Sequence, residues 1–214
     1  AVVEQRAHGD VLFAAAREHG LQVDAELASL RAGLRGFAGN GAKGKLFLNL
    51  SASVVIACWR QWGEVLPRWL LDDCAIEPED IVIELTEHDP VGDGMDDLLQ
   101  ARARLREDGM LFALDDYGTG HSSLQLWAEL EPDMVKVDRY FFRNISGSAP
   151  RQQLLRSLMA VAQALGTPLL AEGIESAEDL ATVRDLGIRY AQGWQLGFPE
   201  ATPQRELAEP VQAL

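Results

Sequence analysis

Acidic residues recur at one kind of place in this chain, at or near the end of a short apolar run. They are Glu84 in Ile81–Leu85, Asp115 with Asp116 after Leu111–Leu114, and Glu172 after Pro168–Ala171. Lys136 lies inside Met134–Asp138, and Asn49 and Gln192 close two further runs. Brought to one place, four carboxylates raise one another's pKa values and disfavour the fold unless positive charge offsets them. One lysine cannot balance them, whereas divalent cations can, and hard oxygen ligands suit Mg²⁺ or Mn²⁺. The adjacent pair Asp115–Asp116 suits contact with two ions at once. A two-metal site points to phosphoryl chemistry, with one ion activating water and both steadying an in-line displacement. Lys136 fits there as a point charge near the attacking water or the phosphate. Asn49 fits as a neutral ligand, and Glu87 and Glu175 stand close behind the cluster.

Each residue alone has a plainer explanation. A lone carboxylate at a strand end is more often a cap or an ion-pair partner, and for Glu84 the two explanations balance. Asp115–Asp116 before Tyr-Gly-Thr-Gly is compatible with a turn and a cap. Gln192 alone would be a surface amide. Lys136 is harder to dismiss, because an unpaired lysine within an apolar run is costly to bury. Six successive runs with the same feature outweigh these explanations. Trp59, Trp62 and Trp69 lie at roughly helical spacing and read as packing, as does Trp127. For Trp194, packing is the default and stacking on a base the alternative. The histidines show no ligand spacing, and His121 reads as a solvated loop residue.

The elements that must position these side chains are strands and helices in alternation. Apolar runs predict strands over Lys45–Asn49, Ile81–Leu85, Leu111–Asp115, Met134–Asp138, Pro168–Glu172 and Arg189–Gln192. Helical periodicity fills Val11–Phe37 with a break at Gly20, Ser53–Leu71 as one helix or a helix pair interrupted by Pro67, Asp93–Asp108, Ser122–Leu130, Gln152–Leu165 and Ala177–Leu186. The last helix has Glu178 and Asp179 in its first turn and Gly187 to end it. Near-continuous apolar strands are those of a parallel sheet buried on both faces, and the alternation defines an α/β fold. In a barrel all strand ends converge on one face, whereas in an open sheet they meet only near a switch point. The polar residue at every strand end therefore favours a barrel, and no glycine-rich phosphate loop of the Rossmann or Walker type argues otherwise.

The 214 residues, 47% apolar, suffice for one domain spanning 1–214, with no linker, repeat or low-complexity tract. The net charge of −14 argues against a nucleic-acid polymer as partner, while a small anionic substrate is compatible with metal ions that reverse the local sign. Cys58 and Cys74 make neither a disulfide framework nor a metal spacing, and read as two small buried hydrophobes in a reducing cytoplasm. No apolar run approaches the ~20 residues that span a bilayer, and no signal peptide is visible. The expectation is a cytoplasmic domain without membrane contact of its own, compatible with the cytoplasmic part of a membrane-anchored protein.

At this point the chain resembles a known family, the EAL domain, the cyclic-di-GMP phosphodiesterase module of bacterial signalling. The matching segments are Asn49-Leu50-Ser51, Glu84-Leu85-Thr86-Glu87, Asp115-Asp116-Tyr117-Gly118-Thr119-Gly120, Lys136-Val137-Asp138-Arg139, Ala171-Glu172-Gly173-Ile174-Glu175 and Gln192-Gly193-Trp194. They follow the family's order over roughly residues 11–200. The resemblance implies a modified TIM-like (β/α)8 barrel that hydrolyses cyclic di-GMP to linear pGpG with Mg²⁺ or Mn²⁺. It implies that Asn49, Glu84 and Asp115 hold one metal, and that Asp115, Asp116 and Glu172 hold the second, with Glu172 helping to deprotonate the water. Lys136 resembles the lysine beside the nucleophilic water, and Glu87 the residue that anchors the Asp115–Gly120 loop. In the family that loop lies at the homodimer interface and links dimerisation to activity. Asp138, Glu175 and Gln192 resemble outer or substrate-proximal positions. The resemblance also implies sensory or GGDEF-type domains fused outside this chain.

The match has gaps. The Glu-Ala-Leu signature is absent, and the nearest candidate for its metal-binding Glu is Glu4, followed by Gln5-Arg6. Six strands are visible where closure needs eight, so the chain is shortened at its start, or the domain is degenerate, or a partner completes it. Shortening at the start is favoured. Gly197-Phe198-Pro199 has Phe where the family commonly has a basic residue. Two outcomes are thus expected: an active phosphodiesterase, or an inactive receptor that binds cyclic di-GMP and signals by a change of shape or oligomeric state.

Overall fold

The computed structural model describes residues 11–200 apart from 40, 42–43, 67–70, 72–73, 75, 87–90 and 119–123. Six strands are described: β1 Leu46–Ser51, β2 Ile81–Thr86, β3 Leu111–Tyr117, β4 Met134–Val137, β5 Leu169–Ala171 and β6 Tyr190–Ala191. Their order in the sheet is their order in the chain, and the β3–β4, β4–β5 and β5–β6 pairings are parallel. All six expected strands are present, with ends that differ by at most two residues from those expected. Their burial explains why they were legible. Ile81–Leu85, Phe112–Leu114, Val135–Val137 and Leu169–Ala171 are buried without alternation, as expected of parallel strands covered on both faces.

The chain forms two compact units, one of residues 1–84 and 89–111, the other of 85–88 and 112–214. In the first, helix α1 (residues 11–18) is separated from α2 (Gln22–Gly39) by a turn at Gly20, the expected break. Leu27, Leu30 and Leu34 recur at helical spacing on α2 and are buried. Helix α2 packs on β1 and on α3 (Ala52–Trp62), and α3 packs on α4 (Met95–Glu107).

The junction of β1 and α3 is held by side chains. Ser51 caps α3, its Oγ accepting from Val54 N. Glu26 of α2 accepts from Ser51 N and Ser51 Oγ, both at 2.8 Å. Helix α3 corrects one expectation, since it ends at Gly63 in the left-handed conformation, before Pro67. Trp62, expected to pack, is 39% exposed, while Trp59 is half-buried. Cys58 and Cys74 are buried as expected. Burial, then the nearby Glu26 charge, push the Cys58 thiol up to about 11, which keeps it unreactive.

In the second unit, β3–β6 are joined by α5 (Leu124–Leu130), α6 (Ala149–Leu165) and α7 (Ala177–Asp185). Trp127 is fully buried as expected, donates from Nε1 to Thr167 Oγ1, and meets Tyr117 edge-on at 5.2 Å. Ser176 caps α7 by accepting from Asp179 N. Asp179 is buried and accepts from Asn144 N and Ser146 N, fastening the loop before α6. No helix among the described residues is long and apolar enough to cross a membrane.

Candidate active site

The chemistry-bearing residues of the second unit gather where β3, β4, β5 and β6 end. Strand β3 is the key. In the β3–β4 ladder Leu114 pairs with Val135 and Tyr117 with Val137, so Asp115 and Asp116 together stand opposite Lys136 alone. This is a β-bulge, two residues against one. Asp116 takes a left-handed conformation, φ 50°. In a regular strand neighbouring side chains point to opposite faces. The bulge cancels that alternation and brings both carboxylates to one side.

The turn after β4 braces the bulge. Asp138 N donates to Tyr117 O, and the Asp138 carboxylate accepts from Tyr140 N at 2.7 Å, capping the single 3₁₀ turn Arg139–Phe141. The ring of Phe141 then lies 2.4 Å from where a Cβ on Gly118 would sit, so only glycine fits beside it. Sequence reasoning passed over Phe141, whose only signal is its place just after Asp138.

Lys136 is 6% exposed and is not an unpaired buried cation. Its Nζ lies 2.6 Å from Asp115 Oδ1 and 2.8 Å from Glu172 Oε1. Glu172 follows β5 directly, with its backbone N donating to Val137 O. Gln192 follows β6 and donates from Nε2 to Glu172 Oε1 at 2.5 Å. Burial raises the Glu172 carboxyl to about 7; the Lys136 ammonium opposes this rise, and the Asp115 and Asp116 charges add to it. A carboxyl poised there can hold or release a proton near neutral pH.

Asp115, Asp116 and Glu172 each offer a carboxylate oxygen, and these atoms lie within 4.8 Å of one another. An all-oxygen set with compensating charge beside it fits a hard divalent cation. Expected residues outside this cluster are placed as follows. In the first unit, Asn49 is exposed on β1 and Glu84 is buried on β2. Glu175 is exposed. Glu4, Glu87 and His121 lie outside the described residues.

The family model described as the EAL domain matches residues 4–199. The chain belongs to the EAL domain family. It is 37% identical over 136 residues to the cyclic di-GMP phosphodiesterase PdeR of Escherichia coli, a match covering 64% of this chain and 20% of PdeR. The chain thus spans about a fifth of that relative's length. Among solved structures, a manganese and cyclic-di-GMP complex of Klebsiella pneumoniae BlrP1 is similar with a TM-score of 0.69 and 29% identity, over 81% of this chain and 44% of that one. The cyclic-di-GMP complex of the phosphodiesterase PaMucR is similar with a TM-score of 0.72 and 26% identity, over 87% and 76%. The α/β fold of the barrel type expected from the strand ends is the fold of these relatives.

Proposed function

We propose that this domain hydrolyses cyclic di-GMP to linear pGpG in bacterial second-messenger signalling. The observation that carries the proposal is the Asp115–Asp116 bulge, which puts two adjacent carboxylates beside Glu172 within reach of common cations. Family membership and the phosphodiesterase activity named for PdeR support the substrate and the reaction.

Asp115, Asp116 and Glu172 would hold Mg²⁺ or Mn²⁺, with Asn49 and Glu84 the further ligands of a two-metal site. Bound there, such ions supply the charge neutralisation and water activation that phosphodiester displacement requires. The chain's own residues do the rest. Lys136 and Gln192 both donate to Glu172 Oε1, which fixes that carboxylate and leaves Oε2 to face an ion or a water. Glu172 takes the water's proton at that oxygen. Lys136 holds positive charge beside the displacement, and burial strengthens its effect by excluding bulk water. Glu87 anchors the Asp115–Gly120 loop, through which the domain forms a homodimer. Asp138 and Glu175 act from the outer shell. In the cell the domain works in the cytoplasm, joined to sensory or GGDEF-type domains.

Incubation with cyclic di-GMP and Mn²⁺, with chromatography for pGpG and a binding titration in parallel, tests the proposal. Metal-dependent pGpG is the expected result. Binding without product would make the domain a receptor, and absence of both would overturn the assignment.

A further inference from the structure

The turn that leaves β4 is pressed from two sides by glycines. Gly118 lies two residues past Asp116, and Gly173 directly follows Glu172. Both take left-handed backbones, φ 106° and 66°. A Cβ on Gly118 would lie 2.6 Å from Phe141 Cζ, and a Cβ on Gly173 would lie 3.4 Å from Arg139 Cα and overlap Arg139 Cβ. Arg139 and Phe141 are the two ends of one 3₁₀ turn. That turn thus fills the space between the chain leaving β3 after Asp116 and the chain leaving β5 after Glu172.

The filler is stiff. Asp138 N donates to Tyr117 O on one side, and Val137 O accepts from Glu172 N on the other. Phe142 N and Arg143 N donate to Arg139 O, and Phe142 and Ile145 are buried beyond the turn. The Phe141 ring is backed edge-on by Tyr140 at 5.5 Å, and Arg151 of α6 lies over the Tyr140 ring at 5.2 Å. Close-packed groups of this kind resist being compressed.

We infer that the turn Arg139–Phe141 is a gauge that fixes the span between the Asp116 and Glu172 carboxylates and so selects the cation they take. The inference rests on the proposed function and deepens it by naming what sets the ion preference. Arg139 and Phe141 are positioning residues, since they act on an ion only through the two acids. The acids repel one another, an ion draws them together, and the turn limits how far they close. Mg²⁺ demands near-ideal octahedral geometry, whereas Ca²⁺ accepts looser and more variable oxygen sets. A fixed span therefore serves Mg²⁺ more than Ca²⁺, and a loosened span gives up that advantage.

The test is calorimetric titration of the whole chain, freed of metal by chelator, with Mg²⁺ and separately with Ca²⁺. Phe141→Ala should weaken Mg²⁺ binding by roughly 10- to 100-fold, the usual reach of residues that orient metal ligands, and Ca²⁺ binding by less than about 3-fold. Phe141→Leu keeps most of the apolar burial and should shift the ratio in the same sense by less, which preserves the test if the Ala variant does not fold. Arg139→Gly, which frees the Gly173 side, should also lower the ratio. Loss of its charge alone would alter both divalent ions alike. Tyr140→Ala removes a ring that is 62% exposed, and should leave the ratio within about 2-fold, as surface substitutions do. An unchanged ratio in the Phe141 variants or in Arg139→Gly, or an equal shift in Tyr140→Ala, would overturn the inference alone. A native chain that binds neither ion would overturn the inference together with the function it rests on.

Discussion

Lys136 stands across the sheet from the bulge that carries Asp115, and its ammonium lies 2.6 Å from Asp115 Oδ1. The same nitrogen lies 2.8 Å from Glu172 Oε1 on the next strand's exit. One buried cation thus bridges the ends of β3 and β5 through the strand between them. It is the internal counterion of the acidic cluster, and its removal has consequences for the fold as well as for chemistry.

Lys136→Met should therefore destabilise the chelator-treated protein. Breaking a buried ion pair by removing one partner typically costs about 3–5 kcal/mol, because the other charge stays buried and uncompensated. Excess Mn²⁺ should restore much of the loss, and hydrolysis should remain slow in the rescued protein. Urea unfolding with and without Mn²⁺ reads both effects. Equal stability of variant and native chain in chelator would show that Lys136 is not the counterion.

Asp115→Ala should abolish turnover by removing a ligand proposed for both ions. Activity should fall at least about 100-fold, and calorimetry should show fewer bound Mn²⁺ ions per chain. Unchanged activity would sink the two-metal site.

Asp116 should tolerate Asn and resist Val. Its backbone is left-handed, a conformation Asn adopts readily and β-branched residues do not. Asp116→Asn should keep the melting temperature near native while losing Mn²⁺ affinity. Asp116→Val should lose both, with about 1–2 kcal/mol of strain. A Val variant as stable as the Asn variant would contradict the bulge geometry.

Glu172 sets a pH dependence. Its carboxyl is raised above the ordinary value to about 7 in the folded chain, so the folded state holds this proton more tightly than the unfolded one. The resulting stability is fully present below about 4.5 and is lost as pH rises through about 7. In chelator, stability should fall between pH 5 and pH 8, by up to about 3 kcal/mol from this group. Mn²⁺ binding at pH 6 should release protons, seen as calorimetric heats that change with buffer ionisation enthalpy. Buffer-independent heats would show that Glu172 is already ionised.

The sheet was legible in the sequence because parallel strands buried on both faces leave continuous apolar runs, and the polar residue near each end stood out against them. The helix breaks were legible at Gly20 but not at Gly63, where Pro67 was the stronger visible signal and the left-handed glycine acted first. Trp62 fits helical spacing, yet spacing alone does not say which neighbours cover a face. The bulge was not legible, since the sequence does not say which faces Asp115 and Asp116 occupy until the register with Lys136 is known. Nor was Glu26, whose partner Ser51 lies 25 residues away. The charge deficit at the acids was visible from counting, whereas the placement of Lys136 between Asp115 and Glu172 required the strands to be paired.

The most direct test of the account is chromatography of the products of cyclic di-GMP incubated with the native chain, with Asp115→Ala, and with the native chain in chelator. The account predicts pGpG from the native chain with Mn²⁺ and none from the other two. Product at equal rates in all three, or cyclic di-GMP left intact in every one, would contradict it.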